Sequence, residues 1–466
     1  MTQSREIRPF GLRDKLGYLF GDFGNDFTFV LSSSFLLKFY TDVMGVPAAI
    51  VGTIMMIARF VDAFTDVTIG RLCDRSRITA AGKFKPWIAR MCIPVAIASF
   101  LIYQSGLTNL PLYIKVGYLF ITYILWGSVF YTAVNIPYGS MASAISPDPG
   151  DRQSLSTYRS VGGLLAGLFI GAGVPMIAYD NVSGNAVLNG PRFTALAGAF
   201  SVLAVVCHLL CYALVTERVR PKEMDETQRV SFKQMLTNAI RNRALIAIIA
   251  ASIVNLLASL TLQSMANYVY PNVYRNTNAQ SLATFLMTGG MLLSAAVAKP
   301  LAQRFGKAEV SSAANAAAAG ICLLLSILRP QNVWVYVALT TLNFAALGIF
   351  TMVSWALITD VIDHQEIVTG VREDGSVYAL YSFARKLGQA ASAGLTGFLL
   401  SFIGYSQETA FDPNVVNGIY KIATLLPAAG FAILAAILFF WYPLRKALVE
   451  SNVLELRRRH EGGENG

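Results

Sequence analysis

Ionisable side chains are scarce in this sequence. Of its 466 residues only 14% are Asp, Glu, Lys or Arg, while 55% are hydrophobic; a soluble domain carries about 25% charged residues. A water-soluble fold cannot hide that much apolar surface, so a large soluble catalytic module is excluded. The three histidines, His208, His364 and His460, have no metal-ligand spacing. The five cysteines, Cys73, Cys92, Cys207, Cys211 and Cys322, sit singly in apolar stretches, without zinc spacing or a disulfide framework. They are expected to be small buried residues. No Walker loop is present, so ATP-driven pumping has no engine, and no nucleophile has a base nearby in sequence. The start, MTQSREIRPFGLRDK, lacks the apolar core and small-residue cleavage site of a signal peptide. The first helix is therefore expected to stay in the mature protein.

What is present is a series of apolar stretches of membrane-crossing length. Six lie near residues 17–40, 48–72, 87–107, 112–142, 155–177 and 193–215. Six more lie near 244–270, 281–298, 310–328, 334–362, 376–403 and 419–442. The pattern predicts an all-α membrane protein of twelve transmembrane helices in two six-helix bundles. The bundles span 1–215 and 244–442, joined by a polar linker at 216–243 and followed by a tail at 443–466. The linker is expected to include a short amphipathic helix around Phe232 to Ile240. Such an arrangement of two similar halves is what an internal repeat requires. Gly163, Gly167 and Gly171 recur at four-residue spacing in the fifth stretch and are expected to let helices approach closely.

The formal charge of +10 would suit nucleic acid or an acidic membrane surface, and its distribution favours the membrane. Arg5, Arg8, Arg13 and Lys15 precede the first stretch. Arg71, Arg75, Arg77, Lys83, Lys85 and Arg90 surround the second connection, and seven bases run from Arg218 to Arg243. Intervening connections have one base or none. Because Lys and Arg collect on the cytoplasmic side, both termini are expected in the cytoplasm. No nucleic-acid partner is expected.

The informative residues are those that cost free energy in a bilayer, about 2.5 to 3.5 kcal/mol for one Asp or Arg at a helix centre. The second stretch carries Arg59, Asp62 and Asp66 on one helical face; the first carries Asp22 and Asp26 four residues apart. Four carboxylates against one fixed cation leave excess negative charge, which a bound cation or a proton would neutralise. Asn135, Arg159, Arg385 and Lys386 offer donors and acceptors to a polyhydroxylated ligand. Tyr131, Tyr138, Tyr378 and Trp126 offer flat apolar faces for an orienting wall.

Several segments together resemble a known family. GDFGNDF, YTD at Tyr40 to Asp42, ARFVDAFTD at Ala58 to Asp66, GKFKPW at Gly82 to Trp87, NIPYGS at Asn135 to Ser140 and DVIDHQE at Asp360 to Glu366 are similar to the glycoside-pentoside-hexuronide:cation symporters. The match runs in order along nearly the whole chain. It implies a major facilitator fold and import of a sugar or glycoside with Na⁺ or H⁺, in a bacterial inner membrane and without a cofactor. Asp62 and Asp66 fall on the family's cation-site carboxylates, which would be the metal ligands if Na⁺ is the ion, with Thr132 as a further oxygen ligand. Asp26 and Arg159 fall on its sugar-binding acid and arginine, beside Asp22; Lys386 matches a lysine near both sites.

Three positions depart from the sugar-binding pattern: Asn135 stands for a second acid, Gly139 for a stacking Trp and Asn25 for a lysine. Losing an acid while keeping Arg159 and Lys386 favours an anionic sugar, such as a hexuronide or the sulfoquinovose of a branch that LLKFYTD and SRITAAGKFKPW resemble. Arg59, Asp74, Arg75, Lys83, Asp360, Asp363 and Arg372 are expected to form a charge and gating network, and the chain is expected to act as a monomer. The rival expectations are an uncoupled major-facilitator exporter or facilitator of another small molecule, and a membrane-embedded enzyme.

Overall fold

The computed structural model describes residues 8–219, 242–369 and 374–463. The amphipathic helix expected around Phe232 to Ile240, and Arg372, lie outside them. Among the described residues twelve long helices are seen, which we number α1 (Leu12–Asp42), α2 (Ala48–Asp74), α3 (Lys85–Ile102), α4 (Leu112–Ile145), α5 (Pro149–Ile177), α6 (Gly190–Leu214), α7 (Arg243–Val273), α8 (Thr277–Phe305), α9 (Lys307–Leu328), α10 (Val333–Thr369), α11 (Asp374–Phe402) and α12 (Pro413–Trp441). A thirteenth, α13 (Lys446–Gly463), ends the described chain.

Their starts are encoded locally. Asp148, Asn189, Asn242 and Asn276 each accept a hydrogen bond from a first-turn backbone N–H, and proline opens α5, α6 and α12 at positions where no helical donor is lost. Among the described residues, ten helices, α2 to α10 and α12, are long and apolar enough to cross a membrane. The other two long ones, α1 and α11, have 31 and 29 residues. They are diluted by the charges that matter below.

The chain divides into two compact units. Unit 1 comprises Met1–Met224 with Gly397–Phe411, and unit 2 comprises Asp225–Thr396 with Asp412–Gly466. The last turn of α11 and the segment after it thus belong with unit 1.

In unit 1, α1 lies against α5 and α6. Helices in lipid are held by close packing and hydrogen bonds, since hydrocarbon already solvates apolar side chains. Phe39, Tyr103 and Phe193 interlock with ring centroids 5.1 to 5.4 Å apart, and Tyr40 donates to the carbonyl of Ile102 at 2.9 Å. The connection between α5 and α6 forms an antiparallel hairpin, β1 (Tyr179–Val182) and β2 (Asn185–Leu188). Its turn places Ser183 and Gly184 at positive φ, 53° and 82°, as a tight hairpin requires. Where α11 ends, the fully buried Lys38 reaches Asp42 at 2.7 Å and donates to the Tyr405 hydroxyl at 2.8 Å; that hydroxyl donates in turn to Asp42 at 2.8 Å.

Unit 2 is built around a core that includes Ala247, Ile248, Leu357, Val361, Tyr381, Leu434 and Tyr442. Its buried Asp360 pairs with Lys307 at 2.6 Å, and α13 is tied to α10 by Asn452 and His364 at 3.2 Å.

Candidate ion and sugar site

Two polar clusters of unit 1 contain most of the residues singled out in the sequence. The first joins α2 to α4. Between Leu125 and Tyr131 the helix α4 widens into a π-turn, a feature that often marks functional positions because it breaks the regular ladder. The turn presents the buried Ser128, whose hydroxyl donates to Asp62 Oδ1 at 2.5 Å. One turn on, the Thr132 hydroxyl lies 3.2 Å from Asp66 Oδ1 and 3.1 Å from the Gly127 carbonyl. Asp62 also receives Arg59 Nη1 at 3.2 Å. As expected from the spacing, this face of α2 looks inward, and Phe64 and Val67 are exposed.

The second cluster joins α1 to α5. Arg159 Nε donates to Asp22 Oδ1 at 2.9 Å, and its guanidinium lies over the Tyr138 ring at 5.3 Å. Asp26 stands beside Asp22 because residue 163 is glycine: a Cβ there would lie 2.7 Å from Asp26 Oδ2 and 3.2 Å from Asp22 Oδ2. Asp26 and Asn135 are half-buried, and among the described residues neither side chain makes a hydrogen bond. Gly139 leaves space over the arginine, since a Cβ there would be 3.9 Å from Arg159 Nη1. The two clusters are linked by Phe29, which stacks on the half-buried Tyr131 at 5.5 Å and carries the Arg59 guanidinium at 5.1 Å.

The structure changes four expectations. The acids face two fixed cations rather than one, because Arg159 joins Arg59. Trp126 and Tyr138 are fully buried, and Tyr138 is stacked on Tyr18 at 4.5 Å, so they support the site from behind instead of forming an open wall. The glycine stripe of α5 is not one packing seam: Gly163 meets the carboxylates, whereas a Cβ at Gly167 would touch nothing within 4 Å. Asn25 does not take up a lysine's place beside the acids. It turns to α6, where its amide meets His208 Nε2 at 3.1 Å while His208 Nδ1 donates to the Ala204 carbonyl at 2.7 Å.

In unit 2, Lys386 is half-buried and Tyr378 is 38% exposed beside Trp355, with ring centroids 6.0 Å apart. Of the expected charge network, Asp360 is held by Lys307, Asp363 is half-buried and Arg75 is exposed. The side chain of Asp74 lies outside the described residues. Lys83 takes part through its backbone: the N–H groups of Lys83, Phe84 and Lys85 converge on the Glu217 carboxylate at 2.7 to 2.9 Å. Glu217 was not singled out in the sequence, nor were Asp14 and Ser128. Asp14 is fully buried and binds Arg8, Arg218 and the Thr216 N–H.

Comparison with known proteins agrees with this architecture. A family model described as MFS/sugar transport protein matches residues 17–446. The chain belongs to that family, among the glycoside-pentoside-hexuronide:cation symporters of the major facilitator superfamily, and is a multi-pass membrane sugar transporter rather than an enzyme. It is similar to the uncharacterized symporter YjmB of Bacillus subtilis, 31% identical over 94% of this chain and 93% of that one. A glucuronide carrier protein homolog of Escherichia coli is 30% identical, covering 96% of each chain. A Salmonella typhimurium protein provisionally named a sulfoquinovose importer is 30% identical over 97% of this chain and 94% of its own; another similar protein is provisionally named an exporter. Among solved structures, a D-xylose-proton symporter superposes with a TM-score of 0.62 over 93% of this chain and 97% of that one. At 13% identity that likeness concerns the fold alone.

Proposed function

We propose that this chain imports a sugar or glycoside together with Na⁺ or H⁺ across a bacterial inner membrane, with an anionic sugar such as a hexuronide or sulfoquinovose as the favoured cargo. The observation that carries the coupling is the meeting of Asp62 and Asp66 with the hydroxyls of Ser128 and Thr132 beside the Gly127 carbonyl. Hard cations bind through carboxylate, hydroxyl and carbonyl oxygens. A proton needs one carboxylate whose neutral form is stabilised. Asp62, Asp66 and Thr132 are thereby assigned to the ion. Asp22, Asp26, Asn135, Tyr131 and Arg159 are assigned to the cargo, and on the family pattern Tyr378 and Lys386 as well. The remaining charges, Arg59, Asp74, Arg75, Lys83, Asp360, Asp363 and Arg372, would make and break during the cycle. The chain works as a monomer with both termini cytoplasmic, its halves 1–215 and 244–442 flexing about the linker 216–243, with the tail 443–466 outside the bilayer.

Ion binding cancels repulsion between acids and readies the Asp26 and Arg159 region for sugar. Linkage makes this reciprocal: a tenfold rise in sugar affinity caused by the ion requires a tenfold rise in ion affinity caused by sugar, about 1.4 kcal/mol. Uptake of labelled glycosides into vesicles at varied Na⁺ and pH tests the coupling. Asp66→Cys is expected to abolish gradient-driven accumulation while retaining exchange; undiminished uphill uptake rejects the ion assignment. The second reading, an uncoupled exporter or facilitator, is favoured by the exporter name of one relative. It predicts fluxes that ionophores leave unchanged.

A further inference from the structure

Asp22, Asp62 and Asp66 of the first two helices and Lys307 of unit 2 each have a charged or hydroxyl partner. Arg385 of α11 is different. Among the described residues it makes no hydrogen bond and no ion pair. Its guanidinium lies instead over two aromatic faces, 5.7 Å from the centroid of Trp355 and 5.9 Å from that of Tyr381. Tyr381 is fully buried in the core of unit 2 and meets Trp355 edge-on at 5.3 Å, which fixes the floor of the group. Trp355 is 48% exposed and Tyr378 38%, and their rings tilt together at 6.0 Å. Arg385 itself is half-buried.

A guanidinium is costly inside a bilayer and is retained there where it faces a water-filled cavity or a counter-charge. Arg385 lies eleven residues into the 29-residue helix α11, about 16 Å along it. The cation–π attraction of Trp355 and Tyr381 offsets part of the desolvation cost. It leaves the in-plane N–H donors unused. Those donors match the two oxygens of a carboxylate or a sulfonate, and the exposed rings of Trp355 and Tyr378 suit the apolar face of a pyranose.

We propose that Arg385, set on Trp355 and Tyr381 with Tyr378 alongside, is a receptor for the anionic group of an acidic glycoside, a carboxylate or a sulfonate. The assignment rests on the proposed glycoside transport and adds to it the residue that reads the negative charge. It is tested with purified protein by calorimetric binding of p-nitrophenyl β-glucuronide, its uncharged methyl ester, the matching sulfoquinovoside and a panel of neutral glycosides. Wild-type protein should prefer either acid over the ester by tenfold or more. Arg385→Gln should bring that ratio to about one, and Arg385→Lys should restore part of it, since a point charge replaces the fork.

Because the readout is a ratio within one protein, a general loss of folded material does not imitate the effect. A ratio that survives in Arg385→Gln overturns the assignment. So does a wild type that binds neutral glycosides but neither acid, which leaves sugar transport standing. A wild type that binds no glycoside at all overturns the transport reading, and this receptor with it.

Discussion

Unit 1 holds two kinds of buried acid, and the contrast separates construction from operation. Asp14 has no exposure, and both its oxygens are occupied by Arg8, Arg218, the Thr216 N–H and the Gly11 N–H at 2.8 to 3.3 Å. Glu217 is enclosed in the same manner by three backbone N–H groups. Asp26, by contrast, is half-buried beside Asp22 and makes no hydrogen bond among the described residues. An acid surrounded by fixed donors has nothing left to exchange. An acid kept beside another acid, with few donors of its own, is poised for a visitor.

The strongest challenge to that contrast is thermal unfolding. Asp14→Ala leaves Arg8 and Arg218 with backbone carbonyls only and should cost about 1 to 3 kcal/mol of stability, whereas Asp26→Asn should move the melting temperature little. Equal losses would erase the distinction. Next in size, Arg159→Gln removes both the bond to Asp22 and the stack on Tyr138. Glycoside affinity should fall ten- to a hundredfold, about 1.4 to 2.7 kcal/mol, with less effect on melting than Asp14→Ala; unchanged affinity would detach the arginine from the cargo. The smallest effect is expected from Ser128→Ala, which deletes one donor to Asp62. A loss of about 1.4 kcal/mol should raise the ion concentration needed for half-maximal sugar uptake roughly tenfold. An unaltered requirement would make Ser128 a packing residue.

The long apolar stretches and the misplaced charges were legible in the sequence because each is a large free-energy signal: about twenty apolar residues to cross a bilayer, and a cost for every ion within one. Arg59, Asp62, Asp66, Asp22 and Asp26 were found on that ground alone. Ser128 and Phe29 were not, since a serine or phenylalanine in a membrane helix is cheap and ordinary. What sets them apart is what they meet in the fold: Asp62 for Ser128, and Tyr131 with Arg59 for Phe29. Gly163 was visible as a glycine but not as the space beside two carboxylates, which depends on how α5 crosses α1. Glu217 was hidden because its partners are backbone N–H groups, which any sequence supplies. Arg385 and Lys386 stand side by side in the sequence. Only the neighbouring rings of Trp355 and Tyr381 set the arginine apart.

The widened turn at Leu125–Tyr131 acts as a spacer of one residue. Deleting a single residue within it would let the span close into an ordinary ladder while Thr132, Asn135 and Tyr138 keep their faces, because the widening already absorbs the extra residue. What would disappear is the widening itself, which presents Ser128 to Asp62 and brings the Gly127 carbonyl to Thr132. A chain one residue shorter here would thus keep its helix packing and lose only the oxygens gathered beside Asp62 and Asp66.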